Sequence, residues 1–276
     1  MTSPLFKFIA IYCSAICMPL VAIAQGDDNH KSTGSIMIVP APRPSQVDTD
    51  QKLPKTLQFP GREYKSGAGW WTLTCASTCQ VARTRLRVTS QRYSLQNGAM
   101  VPGQSLQWSP MPLEGSVLFF KTPARVLRPV AGSIKTYRLA ETSTDALQEP
   151  AGTAMEVEFL MTDGGKAQLA PVLVLPNPKA VRSSALFSLE LRIKGQRQTL
   201  IDNSFNPEDF FSNPTSYVPW IGDLDGDGKS DLVLNTNPSS SCGTSIVLFL
   251  SSLAKPGEIS GEAGRFDLPP AEDKGC

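Results

Sequence analysis

From Tyr64 onward the chain is a succession of short apolar–polar alternations, each closed off by Gly, Pro or Asn. Trp70-Trp71-Thr-Leu-Thr-Cys75 is rich in aromatic and β-branched residues. Leu86 and Val88 alternate with Arg85, Arg87 and Thr89, and Val117-Leu-Phe-Phe120 is a compact apolar run. Val157, Phe159 and Met161 are opposed by Glu156 and Glu158. Val172 to Leu175 predicts a strand buried on both faces, and Leu189, Leu191 and Ile193 alternate with Glu190, Arg192 and Lys194. A period of two, β-formers and interposed breakers are the signature of strands. One short helix is predicted at Asn206-Pro-Glu-Asp-Phe-Phe211, with Asn206 as cap and Pro207 in the first turn. The pattern predicts an all-β protein, a short-stranded sandwich or barrel-like fold with little helix.

The first sixty residues have a different texture. Lys7 is the only charged side chain before Asp27, Phe8 to Ile23 is almost wholly apolar, and Ala22-Ile23-Ala24 has the small-x-small form of a cleavage site. Residues 1–24 are therefore expected to be a secretory signal peptide. The apolar core, interrupted by Pro19, is short for a bilayer of about 30 Å. A periplasmic or secreted location follows, with no membrane span once the segment is removed. Over residues 25–60, Pro40, Pro42, Pro44, Pro54 and Pro60 punctuate a stretch without strand or helix period, which predicts a disordered tether. The remainder divides into β-rich segments 61–145 and 146–276, with a boundary in the Thr-, Ser- and Pro-containing stretch 141–152, or forms one domain.

Charge excludes some partners. The formal net charge is +1 and falls to about zero once Lys7 is removed. A neutral chain gives no overall field to draw in nucleic acid. Arg83, Arg85, Arg87 and Arg92 form the densest basic stretch, and the alternation of Arg85 and Arg87 with Leu86 and Val88 reads as the wet face of a strand. Cys75, Cys79, Cys242 and Cys276 remain after cleavage. In an oxidising compartment they predict disulfides, and proximity favours Cys75–Cys79 with Cys242–Cys276 among three possible pairings. A four-cysteine zinc site is the alternative that export disfavours.

The most informative segment is Asp223-Leu-Asp225-Gly-Asp227-Gly-Lys229-Ser-Asp231, flanked by apolar Trp220-Ile221 and Leu232-Val-Leu234. Alternating carboxylates on a tightly curled loop converge on one point, and Gly226 and Gly228 allow the curl. Calcium, a hard cation taking six to eight oxygens, suits such a donor set. The opening matches an EF-hand, but Leu234 stands where the bidentate Glu belongs, and the flanks predict strands. The loop instead resembles that of FG-GAP and VCBS-type repeats, as in integrin propellers, where it joins two strands. That resemblance implies Asp223, Asp225, Asp227, Asp231 and the carbonyl of Lys229 as calcium ligands. It covers about sixteen residues and occurs once, so a propeller is not implied. The tail from Leu250 through Phe266 to Cys276, and more weakly Trp70–Cys79, is similar to exported bacterial proteins that carry one such loop and have no assigned activity.

Catalytic patterns are sparse. His30 is the single histidine and falls in the tether, so histidine-based triads and histidine-ligated metals have no support. No glycine-rich phosphate loop precedes a helix. Carboxylate-only glycoside hydrolysis survives through Glu156, Glu158, Glu190, Glu208 and Asp209. The expectation is a non-enzymatic, calcium-stabilised structural or binding module. Its alternative is a carbohydrate-binding or adhesion module in which Trp70, Trp71 and Trp108 stack on sugar; an extracellular protein or glycan would be the partner.

Overall fold

The computed structural model describes residues 36–41, 56–61, 63–94, 98–110, 115–137, 157–160, 166–174, 186–205, 210, 214–236 and 244–268. Among them the protein is all-β, in three antiparallel sheets. The first sheet is built from β1 (Met37–Pro40), β2 (Leu57–Pro60), β3 (Gly67–Cys75), β4 (Cys79–Ser94), β5 (Met100–Ser109) and β6 (Ser116–Lys121), in the order β1-β6-β3-β4-β5-β2. β7 (Gly132–Ser133) adds to β4. The second sheet holds β9 (Val157–Leu160), β10 (Lys166–Val174), β11 (Leu186–Ile193) and β12 (Gln196–Phe205), in the order β12-β11-β10-β9. The third runs β16-β15-β14-β13-β8, from β8 (Thr136–Tyr137), β13 (Trp220–Gly222), β14 (Asp231–Asn235), β15 (Thr244–Leu250) and β16 (Gly261–Leu268). The one described α-helix, α1 (Pro214–Tyr217), is a single turn. No helix among the described residues is long and apolar enough to cross a membrane.

The third sheet is the middle layer, and its strands β13, β14 and β15 are buried on both sides for that reason. Trp220, Val233, Ile246 and Leu248 join Trp70, Leu106, Trp108 and Phe119 in one core. Ile221, Leu232, Leu234, Val247 and Phe249 join Leu169, Leu189, Leu191 and Ile201 in the other. Successive residues of a strand point to opposite faces, so a strand facing two cores must be a continuous apolar run. Every residue of β14 is buried.

The strands expected around Trp70, Leu86, Val117, Val157, Val172 and Leu189 lie in β3, β4, β6, β9, β10 and β11. The expected helix at 206–211 lies outside the described residues except for Phe210, which is fully buried. The signal segment, Cys242, Cys276 and the stretch 141–152 are also outside them.

The expectation of a tether over 25–60 needs correction at 36–41 and 56–60; the rest of that stretch lies outside the described residues. β1 and β2 both arise from this stretch, and Ile36, Ile38 and Val39 are buried. Two of the prolines that suggested a spacer instead mark sheet edges. Pro40 and Pro60 each end a strand at one extremity of the first sheet, where a missing N–H leaves no interior ladder bond unmade. β1 also reaches the middle layer, where the Ile36 N–H donates to the carbonyl of Ala263 (2.6 Å). A Cβ at Gly264 would stand 2.1 Å from the Ile36 carbonyl oxygen, so this approach requires glycine. Phe59 of β2 packs edge-on against Phe266 at 5.3 Å.

Cys75 and Cys79 are cross-strand partners closing the β3–β4 hairpin, and they form a disulfide. Such a small loop has little closure entropy to lose. Replacing both cysteines by serine is expected to lower stability by about 2 kcal/mol on the chain-entropy account. Chemical denaturation of the double variant checks this, and a cost near zero would mean that the hairpin is held by its ladder alone.

Candidate metal site

Two strands that must enter the middle sheet side by side define the site. β13 and β14 pair from Trp220↔Val233 to Gly222↔Asp231, and residues 223–230 make the connection. Gly226 (φ 78°) and Gly228 (φ 83°) take left-handed backbone angles that other residues resist. The first carboxylate is the hub of the turn. Asp223 Oδ1 accepts from the Gly226 N–H (2.8 Å) and Oδ2 from the Gly228 N–H (3.2 Å). Asp225 and Asp227 each accept from the N–H two residues on, Asp227 at 3.2 Å and Lys229 at 2.7 Å. These local bonds curl the chain so that acidic side chains spaced by two share its inner side.

Three of the expected ligands come together. One carboxylate oxygen from each of Asp223, Asp225 and Asp227 lies within 4.8 Å of the others. Burial, and then the charges of Asp227 and Asp223, raise the Asp225 pKa above the ordinary carboxylate range, against the lowering effect of its hydrogen bonds from Ser252 and the Asp227 N–H. Lys229 is exposed at the end of the turn.

Asp231 has a different setting. It is fully buried, and its Oδ2 accepts from the Leu224 N–H at 2.8 Å. Its Oδ1 accepts from the Ser251 N–H at 2.9 Å and lies 3.1 Å from the Ser251 hydroxyl. Burial is the main cause pushing its pKa up to about 7, with the Asp225 charge adding to it; the donated hydrogen bonds oppose the rise without cancelling it. Asp231 therefore ties the start of the loop to the end of β15, with both oxygens engaged by protein donors.

Sequence reasoning missed the serines that complete the site. A 3₁₀ turn, Ser251–Leu253, follows β15 and faces the loop. The Ser251 hydroxyl also lies 3.0 Å from Asp227 Oδ2, so its single proton serves Asp227 or Asp231 at one time. The Ser252 hydroxyl donates to Asp225. Their signal in the sequence is only a Ser-Ser pair after the apolar run Ile246–Leu250. The pairing of β14 with β15 brings it to the loop.

The donor set is all oxygen and all anionic, and its spacing lets one cation meet three carboxylates at once. That donor set suits a hard metal cation.

The other candidate residues add no second cluster among the described residues. Glu190 pairs with Arg192 at 3.3 Å on β11. Glu158 lies in β9, and Glu156, Glu208, Asp209 and His30 are outside the described residues. Trp70, Trp71 and Trp108 are buried, at 1%, 9% and 4% exposed, so no sugar-stacking platform is formed by them. Arg83 lies over the Trp71 ring at 5.1 Å. No protein-family model, curated protein or solved structure matches the chain.

Proposed function

We propose that the protein is an exported, non-enzymatic β module in which a calcium ion bound by the 223–231 loop stiffens the β13–β14 connection. The observation that carries this reading is the convergence of Asp223, Asp225 and Asp227 within 4.8 Å. A bound cation would supply positive charge where three carboxylates otherwise repel one another. The loop resembles the calcium loop of FG-GAP and VCBS-type repeats, which supports the choice of ion and adds Asp231 and the Lys229 carbonyl as further ligands. The role is structural because every donor comes from one turn between two paired strands of the middle sheet. Fixing that turn fixes how the middle layer is entered.

Calorimetric titration of the metal-stripped protein tests this. Binding to the native state alone stabilises by RT ln(1 + [L]/Kd), about 2.7 kcal/mol at a hundredfold excess over Kd. For a domain of this size that corresponds to a rise in Tm of roughly 5–10 °C. Magnesium is expected to give much less, and Asp225→Ala and Asp227→Ala should each weaken or abolish the rise. Absence of both heat and thermal shift, with mutants indistinguishable from wild type, would overturn the proposal.

A further inference from the structure

Near-zero net charge conceals a segregation. Between Arg43 and Arg138 the chain carries fourteen Lys and Arg against four Asp and Glu; from Leu139 to Cys276 it carries ten against nineteen. The basic part contains all of the first sheet except β1, and β2, β3, β4 and β5 contain no Asp or Glu. Charge of one sign concentrated on one element is the footprint of a partner of the opposite sign.

The guanidinium groups of that sheet are arranged in a row. On β4, Arg83, Arg85 and Arg87 are exposed and alternate with buried Thr84 and Leu86. Residues two apart on a strand share a face and are about 6.8 Å apart, so the three form a ladder along the strand. None of the three makes an ion pair among the described residues. The register sets Ser109 opposite Arg85 and Gln107 opposite Arg87 on β5. Directly opposed residues of an antiparallel pair lie on the same face, and both of these are exposed. The open face is thus a row of three guanidinium groups beside a row of neutral hydroxyl and amide groups, with no acid and no exposed apolar side chain among these positions.

We propose that this face binds an acidic polysaccharide, a linear glycan whose sugars carry carboxylates. Guanidinium forks match carboxylates in a bidentate way, and the adjoining Ser109 and Gln107 offer donors and acceptors to sugar hydroxyls. An open sheet face accommodates an extended chain along the ladder. A lipid surface would favour apolar side chains among the arginines, and this face has none. Single-stranded nucleic acid calls for aromatic platforms on which bases stack, and Trp70, Trp71 and Trp108 are buried. The inference goes beyond the structural reading above; it rests on the expectation of export, but not on the calcium loop, which lies on another sheet.

The test is binding of immobilised polygalacturonate by the protein, with neutral dextran, single-stranded DNA and vesicles of anionic phospholipid as parallel probes. Wild type is expected to bind polygalacturonate best of the four, with affinity that falls as salt rises. The double variant Arg85→Gln, Arg87→Gln should lose affinity on the order of tenfold. Its thermal melt should match wild type, since exposed substitutions of this kind change stability little. Arg92→Gln, on the side of β4 shared by Leu86, should bind as wild type does. Unchanged affinity in the double variant, equal binding to dextran, or tighter binding to DNA or vesicles at the same salt would each overturn the proposal. Repeating the measurement on metal-stripped protein separates the two readings. Retained glycan binding without any calcium heat would reject the calcium loop alone, and calcium heat without glycan binding would reject this face alone.

Discussion

Asp231→Ala is expected to destabilise the metal-free protein by about 3–5 kcal/mol, more than loss of any other carboxylate in the loop. The reason is burial combined with connectivity. Asp231 is fully buried and satisfies the Leu224 and Ser251 N–H groups, with the Ser251 hydroxyl in reach. Removing the carboxylate leaves donors in a place that water does not reach, and each unsatisfied buried group costs about 1–3 kcal/mol. Asp225 is only half-buried, and its partners are the Asp227 N–H and the Ser252 hydroxyl in the exposed part of the turn. Water can replace it there, so Asp225→Ala should cost the metal-free protein less than 1 kcal/mol while removing most of the calcium response. Urea unfolding of both variants without metal, followed by calcium titration, separates the two roles. Equal and small destabilisation by the two substitutions would show that Asp231 does not clamp the loop to β15.

Phe119→Ala is expected to cost about 3–5 kcal/mol, the range for large aromatic truncations in a packed core. Phe119 sits on β6 between β1 and β3, is 1% exposed, and stacks on Trp108 with centroids 4.0 Å apart and planes 19° from parallel. The cavity would open in the core shared by the first and middle sheets, where Trp220 and Leu248 are also buried. The expected fall in Tm is roughly 6–20 °C. Val130→Ala serves as the contrast, because Val130 is 76% exposed and its loss should change stability by less than about 0.5 kcal/mol. Thermal and urea unfolding of both variants test this. A Phe119→Ala cost below 1 kcal/mol would mean that the two sheets do not share a core there.

The acidic loop was legible because its interactions are local. Asp223, Asp225 and Asp227 curl the chain through hydrogen bonds to N–H groups two to five residues on, so their convergence is implied by their spacing and by Gly226 and Gly228. β4 was legible for a related reason, since a strand with one buried face writes an alternation, as Arg85, Leu86, Arg87 and Val88 do. The β1 and β2 strands were not legible. Each is four residues long and ends in proline, and each becomes a strand only because β6 or β5, far along the chain, offers it a ladder.

The sequence by itself determined the all-β class, the turn that gathers three carboxylates, and the hairpin on which Cys75 meets Cys79. These depend on residue period and on bonds between near neighbours. Only the tertiary structure decided that the sheet of β13–β16 is the middle layer, that Asp231 is engaged by Leu224 and Ser251, and that Ser251 and Ser252 stand against the loop. Those outcomes depend on which strands pair across long stretches of chain. Pairing is chosen by the burial of whole faces, and no local pattern records it.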